Sequence, residues 1–189
     1  MEDFPVIETE RLVLKQMTVS HLDSVFQHFA DEEVNRYVDF DPVESIADAQ
    51  EIIDWGISLY MNNNGILWGI FNKESGRFLG QVNFVNRASG NFTGNVHRAE
   101  IGFDLSPQYW RNGYMTEAII SSISWIFDTY KIGIRRIEAI INKNNQRAKT
   151  LVLNVGFTEE AVLREYVQWK DEFWDMSLFS LLKHEWEKV

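Results

Sequence analysis

The spacing of apolar residues along the chain predicts strands and helices in a defined order. An apolar stretch around Leu12 and Leu14 suits a strand, and helical spacings place Leu22, Val25 and Phe29 on one face. Residue types that commonly cap helices precede such spacings. The first part of the chain is therefore predicted to hold a strand within residues 7–16, a helix capped by Thr18 or Ser20, and a helix from Ser45 to a turn at residues 62–65.

From residue 66 onward, short apolar runs separated by turn residues predict a meander of three strands. Runs at 66–71 and 78–85 are joined by a turn at 73–76, and a loop over 86–95 leads into a strand over 96–105. The remaining elements are a helix from Gly113 to Tyr130, a strand from Ile134 to Ile141, a helix from Asn145 to Val155 closed by Gly156, and a hairpin from Phe157 that turns at residues 170–172.

The predicted order is β-α-α-β-β-β-α-β-α-β-β. A helix joins the strands on either side of Gly113, and a crossover helix is how parallel neighbours are connected. The chain has no Pro/Gly/Ser-rich linker and no internal repeat, which favours a single domain over residues 1–189. These features predict a mixed α/β (α+β) fold.

The predicted strand that ends at Leu105 has two unlike faces, because successive side chains point to opposite sides of a strand. One face is apolar: Ala99, Ile101, Phe103 and Leu105. The other face is polar: Arg98, Glu100, Gly102 and Asp104. The apolar face belongs to a core, and the polar face around a glycine suits a cleft.

Directly after this strand, Gly113 precedes the predicted long helix. Helix N-termini expose unpaired N–H groups and the positive end of the dipole, so they can hold a phosphate. Gly113 would let the backbone approach an anion closely, and Arg111 could add a charged contact. An ordinary helix start explains the same residues equally well.

Composition narrows the function classes. The net charge of −10 argues against non-specific nucleic-acid binding and is compatible with a cationic partner. The absence of cysteine removes disulfides, thiol nucleophiles and zinc–cysteine sites, and the four histidines lack metal-ligand spacing. The N-terminus lacks an apolar secretion signal, and no apolar run could span a bilayer. We therefore expect a cytoplasmic protein that needs no metal, nucleic acid or membrane; a homo-oligomer stays open.

Several stretches together resemble the GNAT superfamily of N-acetyltransferases, and within it the RimJ/RimL-like branch of protein N-terminal acetyltransferases, which acetylate ribosomal-protein alanines. The resemblance covers nearly the whole chain. The stretches are Glu8 to Leu14, Ala99 to Phe103, Tyr109 to Ala118, Asn145 to Ala148, Gly156-Phe157 and Asp175.

This resemblance implies a GNAT-type fold, in which a mixed, mostly antiparallel sheet contains a splayed parallel pair of strands. Acetyl-CoA is expected in the gap between the strand ending at Leu105 and the strand at Ile137, with Asn145 as a further contact or simply a helix N-cap. The implied cofactor residues are Phe103, Asp104 and Leu105 for the pantetheine arm, and Trp110, Arg111, Asn112, Gly113, Tyr114, Met115 and Thr116 for the pyrophosphate.

The sequence departs from the superfamily pattern at four positions. Trp110 and Met115 occupy the first and last places of the loop motif. Val152 stands where many members have a tyrosine acid, and Ala148 stands where the branch often has serine. No side-chain acid for the leaving thiolate is therefore assigned.

Glu100 is the predicted general base, acting through a water on the cleft face, unless it forms an ion pair with Arg98. Glu165 is the second candidate. Nine acidic residues and one arginine lie between Asp31 and Asp54, which could attract a cationic acceptor or simply be solvated. The predicted cleft wall, or alternatively core, comprises Tyr37, Phe40, Trp68 and Tyr166.

The predicted reaction transfers an acetyl group to a primary amine, with a protein N-terminus as the preferred acceptor. A polyamine or an aminoglycoside-like amine is the alternative acceptor. A non-catalytic acyl-CoA sensor is the alternative from another class, because the tyrosine and serine are absent.

Overall fold

The computed structural model describes residues 3–38, 40–86, 97–131, 133–169 and 171–186. Contacts divide the chain into two compact units, each built from separate segments. The first unit comprises Met1–Phe84 and Gly102–Ser122, and the second comprises Val85–Ile101 and Ile123–Val189.

The elements up to residue 86 follow the predicted order, with short elements added. In chain order, the elements are β1 (Ile7–Glu8), β2 (Leu12–Lys15), a 3-10 turn (Val19–His21), α1 (Leu22–Phe29), α2 (Glu32–Asn35), α3 (Ile46–Met61), β3 (Gly65–Asn72) and β4 (Phe78–Asn86). The strand predicted within residues 7–16 is present as β2, whereas the two-residue β1 was not predicted. The Thr9 N–H donates to the Leu12 carbonyl at 3.0 Å, so a turn separates β1 from β2. The short α2 was not predicted; Asp31 caps it by accepting from the Glu33 N–H.

The later elements are β5 (Arg98–Leu105), a 3-10 turn (Pro107–Tyr109), α4 (Tyr114–Asp128), β6 (Arg136–Asn142), α5 (Gln146–Val155), β7 (Thr158–Trp169), β8 (Glu172–Leu182) and α6 (Lys183–Trp186). The four-residue α6 was not predicted. Most of the loop predicted over 86–95 lies outside the described residues, as do Val96 and Lys170.

In the first unit, strands are neighbours in the order β1-β2-β3-β4-β5, and the β1–β2 and β2–β3 pairs are antiparallel. Ser45 begins α3 with a reciprocal capping box: its hydroxyl accepts from the Asp48 N–H, and the Asp48 carboxylate accepts from the Ser45 N–H. The largest fully buried side chains of this unit include Leu12, Leu14, Phe29, Ile53, Trp68 and Phe84.

In the second unit, the strand order is β5-β6-β8-β7. β5 and β6 are parallel, with Glu100 opposite Glu138, whereas β6–β8 and β7–β8 are antiparallel. Asn145 caps α5, and Gly156 ends it in the left-handed conformation at φ 111°. The predicted mixed α/β fold with one parallel pair is confirmed.

One face of α4, which was predicted as a helix from Gly113 to Tyr130, is buried along its whole length. Its members are Met115, Ala118, Ile119, Ser122, Ile123, Ile126 and Phe127. β5 alternates as predicted, with Ala99, Ile101 and Leu105 buried, except that Phe103 is half-buried. Among the helices that the structure describes, none is long and apolar enough to cross a bilayer.

Candidate active site

The loop between β5 and α4 has an unusual backbone. Arg111 has φ 62° and Gly113 has φ 78°, so two left-handed residues flank Asn112. The first bond of the helix runs from the Glu117 N–H to the Gly113 carbonyl at 3.0 Å, so the N–H groups of residues 114–116 precede it. Left-handed residues beside a helix N-terminus let successive N–H groups converge, an arrangement that binds anions.

Side chains within the loop hold this backbone in place. The Trp110 indole N–H donates to the Leu105 carbonyl at 2.6 Å and ties the loop to the end of β5. The Asn112 amide donates to the carbonyls of Tyr109 and Trp110 at 3.2 and 3.0 Å. The loop conformation is therefore built into the fold.

A second support for this loop comes from the N-terminal strands, and it was not predicted from the sequence. The Glu117 carboxylate accepts from the Thr9 hydroxyl at 2.5 Å, and from the Arg11 backbone N–H and Nε at 2.9 and 2.7 Å. Partial burial alone would raise the pKa of Glu117, but the hydrogen bonds from Thr9 and Arg11 lower it below its usual range. Glu117 is thus held as an anion that fixes Arg11.

The end of β5 carries a polar cluster that was also missed. The Asp104 carboxylate lies 2.6 Å from His28 Nε2 and accepts from the Gln81 amide at 2.9 Å. His28 Nδ1 lies 2.7 Å from the Ser106 hydroxyl. A Cβ on Gly80 would lie 2.2 Å from the Asp104 carbonyl, so only glycine permits this close approach of the backbones. The Asp104 side chain is therefore engaged inside the first unit.

Glu100 lies in the second unit on the β5–β6 pair. It is half-buried and stands opposite Glu138, which is 6% exposed. Arg98, the alternative partner for Glu100, forms an ion pair with Glu138 at 3.1 Å. Arg136 also contacts Glu138, through Nε at 2.7 Å. Two arginines thus neutralise the neighbour of Glu100.

Glu165, the other candidate base, is exposed on β7 at an irregularity in the register between Leu163 and Val167. Its φ is 48°, and its N–H donates to the Asp175 carboxylate at 2.9 Å. Lys143 donates to the same carboxylate at 2.6 Å and, with that N–H, lowers the pKa of Asp175. Asp175 therefore shapes the backbone at Glu165.

Asn145 serves as the N-cap of α5, and its side-chain oxygen accepts from the Ala148 N–H at 3.1 Å. This capping role was one of two alternatives. The contact with the cofactor stays a prediction.

The four aromatic residues predicted for the acceptor side differ in exposure. Trp68 is 0% exposed, and its indole N–H donates to the Pro5 carbonyl, so it takes the core role that the sequence left open. Tyr37 is half-buried, while Phe40 and Tyr166 are 41% and 53% exposed. Phe40 in the first unit and Tyr166 in the second unit each present exposed apolar surface.

Comparison with protein-family models matches residues 11–158 to the acetyltransferase (GNAT) domain. The chain belongs to the GNAT acetyltransferase family. It is an acetyl-CoA-dependent N-acetyltransferase.

This acetyltransferase is 34% identical over 180 residues to an uncharacterized N-acetyltransferase of Bacillus subtilis, YoaA, covering 95% of this chain and 98% of that protein. It is 26% identical over 116 residues to the ribosomal protein uS5-alanine N-acetyltransferase of Escherichia coli, covering 59% and 57%. Its fold is similar to that of RimL, a ribosomal L7/L12 α-N-protein acetyltransferase solved with coenzyme A, with a TM-score of 0.81, 17% identity and coverage of 94% and 98%. The GNAT superfamily suspected from the sequence is confirmed, and the similarity to the uS5-alanine enzyme supports the suspected RimJ/RimL-like branch.

Two of the four positions where this acetyltransferase departs from the superfamily pattern lie on α5. Val152 is fully buried, and Ala148 is half-buried. Neither side chain can donate a proton, so these two positions supply no acid for the leaving thiolate.

Proposed function

We propose that this enzyme acetylates the N-terminal α-amine of a protein and binds the diphosphate of acetyl-CoA at residues 111–116. The observation that carries the proposal is the loop with two left-handed residues at the start of α4. Its N–H groups offer a site for a diphosphate without a lysine. The strand residues Phe103, Asp104 and Leu105 would contact the pantetheine arm through their backbone, and Asn145 would add a contact.

An α-amine is the acceptor that demands least of the enzyme. With a pKa of about 8, roughly a tenth of it is neutral at pH 7, whereas a lysine with a pKa of about 10.4 is almost wholly charged. The thiolate of CoA leaves readily, since thiols titrate near a pH of about 8.5. A base is therefore useful, while a dedicated acid is dispensable.

Glu100 is the proposed base, and it removes the proton of the ammonium through a water. Its partial burial, next to a carboxylate that two arginines neutralise, distinguishes it from the exposed Glu165. A backbone N–H near Phe103 would polarise the thioester carbonyl. The neutral amine nitrogen then attacks the thioester carbon and the C–S bond breaks. The second proton that the nitrogen must lose passes to the departing thiolate, which leaves a neutral amide and the thiol of CoA.

The acceptor class is supported by the similarity of this chain to a ribosomal protein uS5-alanine N-acetyltransferase and to a ribosomal L7/L12 α-N-protein acetyltransferase. The exposed rings of Phe40 and Tyr166 and the half-buried Tyr37 could contact a peptide. The acidic segment from Asp31 to Asp54 favours a cationic acceptor, which a protonated N-terminus and a small polyamine both satisfy.

The test measures release of CoA with a thiol reagent, to which the cysteine-free chain adds no background. Acceptors are peptides with a free N-terminus, the same peptides with a blocked N-terminus and a free lysine, and spermidine. We expect turnover with the free N-termini alone. Faster turnover of spermidine would favour the small-amine alternative, and binding of acetyl-CoA without any transfer would favour the sensor.

A further inference from the structure

Arg11 connects the N-terminal strands of the first unit to the loop before α4. Its Nε donates to Glu117 at 2.7 Å, and its Nη1 donates to the Asn112 carbonyl at 2.9 Å. The guanidinium carbon lies 4.6 Å from the centre of the Tyr114 ring. These three contacts fix both the position and the plane of the guanidinium.

Neither of these two hydrogen bonds uses the Nη2 group of Arg11. A Cβ on Gly113 would lie 3.3 Å from Nη2, so this nitrogen lies against the glycine of the loop. Within the stretches that the structure describes, no protein acceptor is recorded for Nη2, and the side chain is 42% exposed. A guanidinium has five N–H groups, so donors remain available beside the loop amides.

Arg111, the arginine that the sequence singled out, differs in this respect. It is exposed, and no partner of its side chain is recorded in the described part of the chain. Binding an anion with such a side chain costs rotamer entropy, whereas Arg11 is already ordered by Glu117 and Asn112. An ordered guanidinium is the better phosphate ligand.

We infer that Arg11 is a cofactor-binding residue whose Nη2 contacts the diphosphate of acetyl-CoA. The inference rests on the proposed position of the diphosphate at residues 111–116. It gives a reason for the resemblance at Glu8 to Leu14, because the arginine of that stretch reaches a loop about a hundred positions away. It also gives Gly113 a second role, since a side chain there would crowd Nη2.

The test is calorimetric titration of CoA into the wild type and four variants. Arg11→Gln should weaken binding about tenfold or more, as expected for a lost charge-assisted hydrogen bond. Arg111→Gln removes one positive charge, as Arg11→Gln does, but from the loop itself, and should weaken binding less. Arg11→Lys, which keeps a cation, should bind CoA more tightly than Arg11→Gln. Arg77→Gln, an exposed site between β3 and β4, should bind as the wild type does.

A second probe separates the diphosphate from the rest of the cofactor. S-acetylpantetheine lacks the diphosphate, so its KM as acetyl donor should be the same for Arg11→Gln and the wild type. A rise in that KM equal to the loss of CoA affinity would overturn the inference. So would equal weakening in Arg11→Gln and Arg111→Gln, or equal weakening in Arg11→Lys and Arg11→Gln, since Arg11 would then only brace the loop.

A wild type that binds no CoA would refute the proposed function rather than the role of Arg11. If Arg11→Gln does not fold, Arg11→Lys and competition by inorganic pyrophosphate decide. Pyrophosphate should displace CoA from the wild type at a lower concentration than is needed to displace CoA from Arg11→Lys. Equal concentrations for the two proteins would overturn the inference.

Discussion

The loop at residues 111–116 and the β7 strand contrast in how firmly their functional residues are held. The loop is fixed by its own side chains and, through Glu117 and Arg11, by the N-terminal strands. β7 is exposed along nearly its whole length, and Glu165 and Tyr166 lie on it at an irregular register. A diphosphate is the same in every turnover and favours a rigid site, whereas a variable acceptor favours an adaptable surface.

The largest effect is expected from the test that distinguishes the two candidate bases, Glu100 on β5 and Glu165 on β7. Glu100→Gln should lower kcat/KM at pH 7 by about 100-fold or more, the usual worth of a general base. The loss should shrink above the pKa of the amine, where the acceptor is already neutral. A pH profile of kcat/KM with a peptide acceptor measures this effect.

Glu165→Gln is the matched control, since it makes the same change at an exposed site. We expect little change in kcat/KM. A larger loss in Glu165→Gln than in Glu100→Gln would move the base to β7 and reverse the comparison.

A substitution at Gly113 tests whether the left-handed backbone conformation of the loop is needed for activity with acetyl-CoA. Valine at φ 78° is strained by on the order of 1–3 kcal/mol, and its side chain would crowd Arg11. We expect Gly113→Val to lower kcat/KM for acetyl-CoA about 10- to 100-fold. Gly113→Asn is the control, because asparagine tolerates this conformation better. Equal losses in the two variants would show that backbone conformation is not the cause.

The anchorage of β7 can be tested at Glu160. Arg136 donates to both its carboxylate oxygens, at 2.9 and 2.6 Å, and Ser180 donates at 2.6 Å. These bonds, Arg136 first, lower the pKa of Glu160 to about 2. Its side chain is 38% exposed, so we expect Glu160→Gln to cost only about 1 kcal/mol of unfolding free energy at pH 7.

The pH dependence follows from the sign of this shift. A carboxyl group with a lowered pKa stabilises the fold only while ionised, so its contribution is complete above a pH of about 5 and is lost toward a pH of about 2. The difference in Tm between wild type and Glu160→Gln should shrink over that range. A difference in Tm that stays constant from neutral pH down to a pH of about 3 would contradict the assignment.

The smallest effect is expected at Tyr166. Tyr166→Ala should raise KM for a peptide acceptor by about threefold, as for a partly exposed contact residue, and leave CoA affinity unchanged. Val162→Ala on the same strand is the control, because Val162 is equally exposed at 53%. A change in CoA affinity in Tyr166→Ala would show that β7 is not an acceptor surface alone.

The parts of the fold that depend on periodicity could be predicted from the sequence. The apolar face of α4, the alternation on β5 and the capping by Ser45 each depend on residues within a few positions of one another. The 3-10 turn and α2 carry too few residues to show a period. The separate β1 was missed because a local turn at Thr9 divides the stretch in which one strand was predicted.

In the candidate site, too, only features formed by residues close together in the sequence could be predicted. Gly113 and the helix start were visible locally, but Arg11, Glu117 and His28 meet their partners only through folding. The stretch from Glu8 to Leu14 was seen as part of a resemblance, and its spacing alone gave no reason to connect Arg11 to the loop. The burial of Trp68 likewise depends on Phe4, Pro5 and Phe84, which the sequence does not bring together.

The central claim is that the enzyme moves an acetyl group from acetyl-CoA to a protein N-terminus. Its most direct test is mass spectrometry of a lysine-containing peptide after incubation with enzyme and acetyl-CoA. The account predicts a mass increase of one acetyl group, located on the N-terminal residue by fragmentation and absent with Glu100→Gln at neutral pH over the same time. Acetylation of the lysine side chain alone, or no acetylation of any N-terminus while spermidine is turned over, would contradict it.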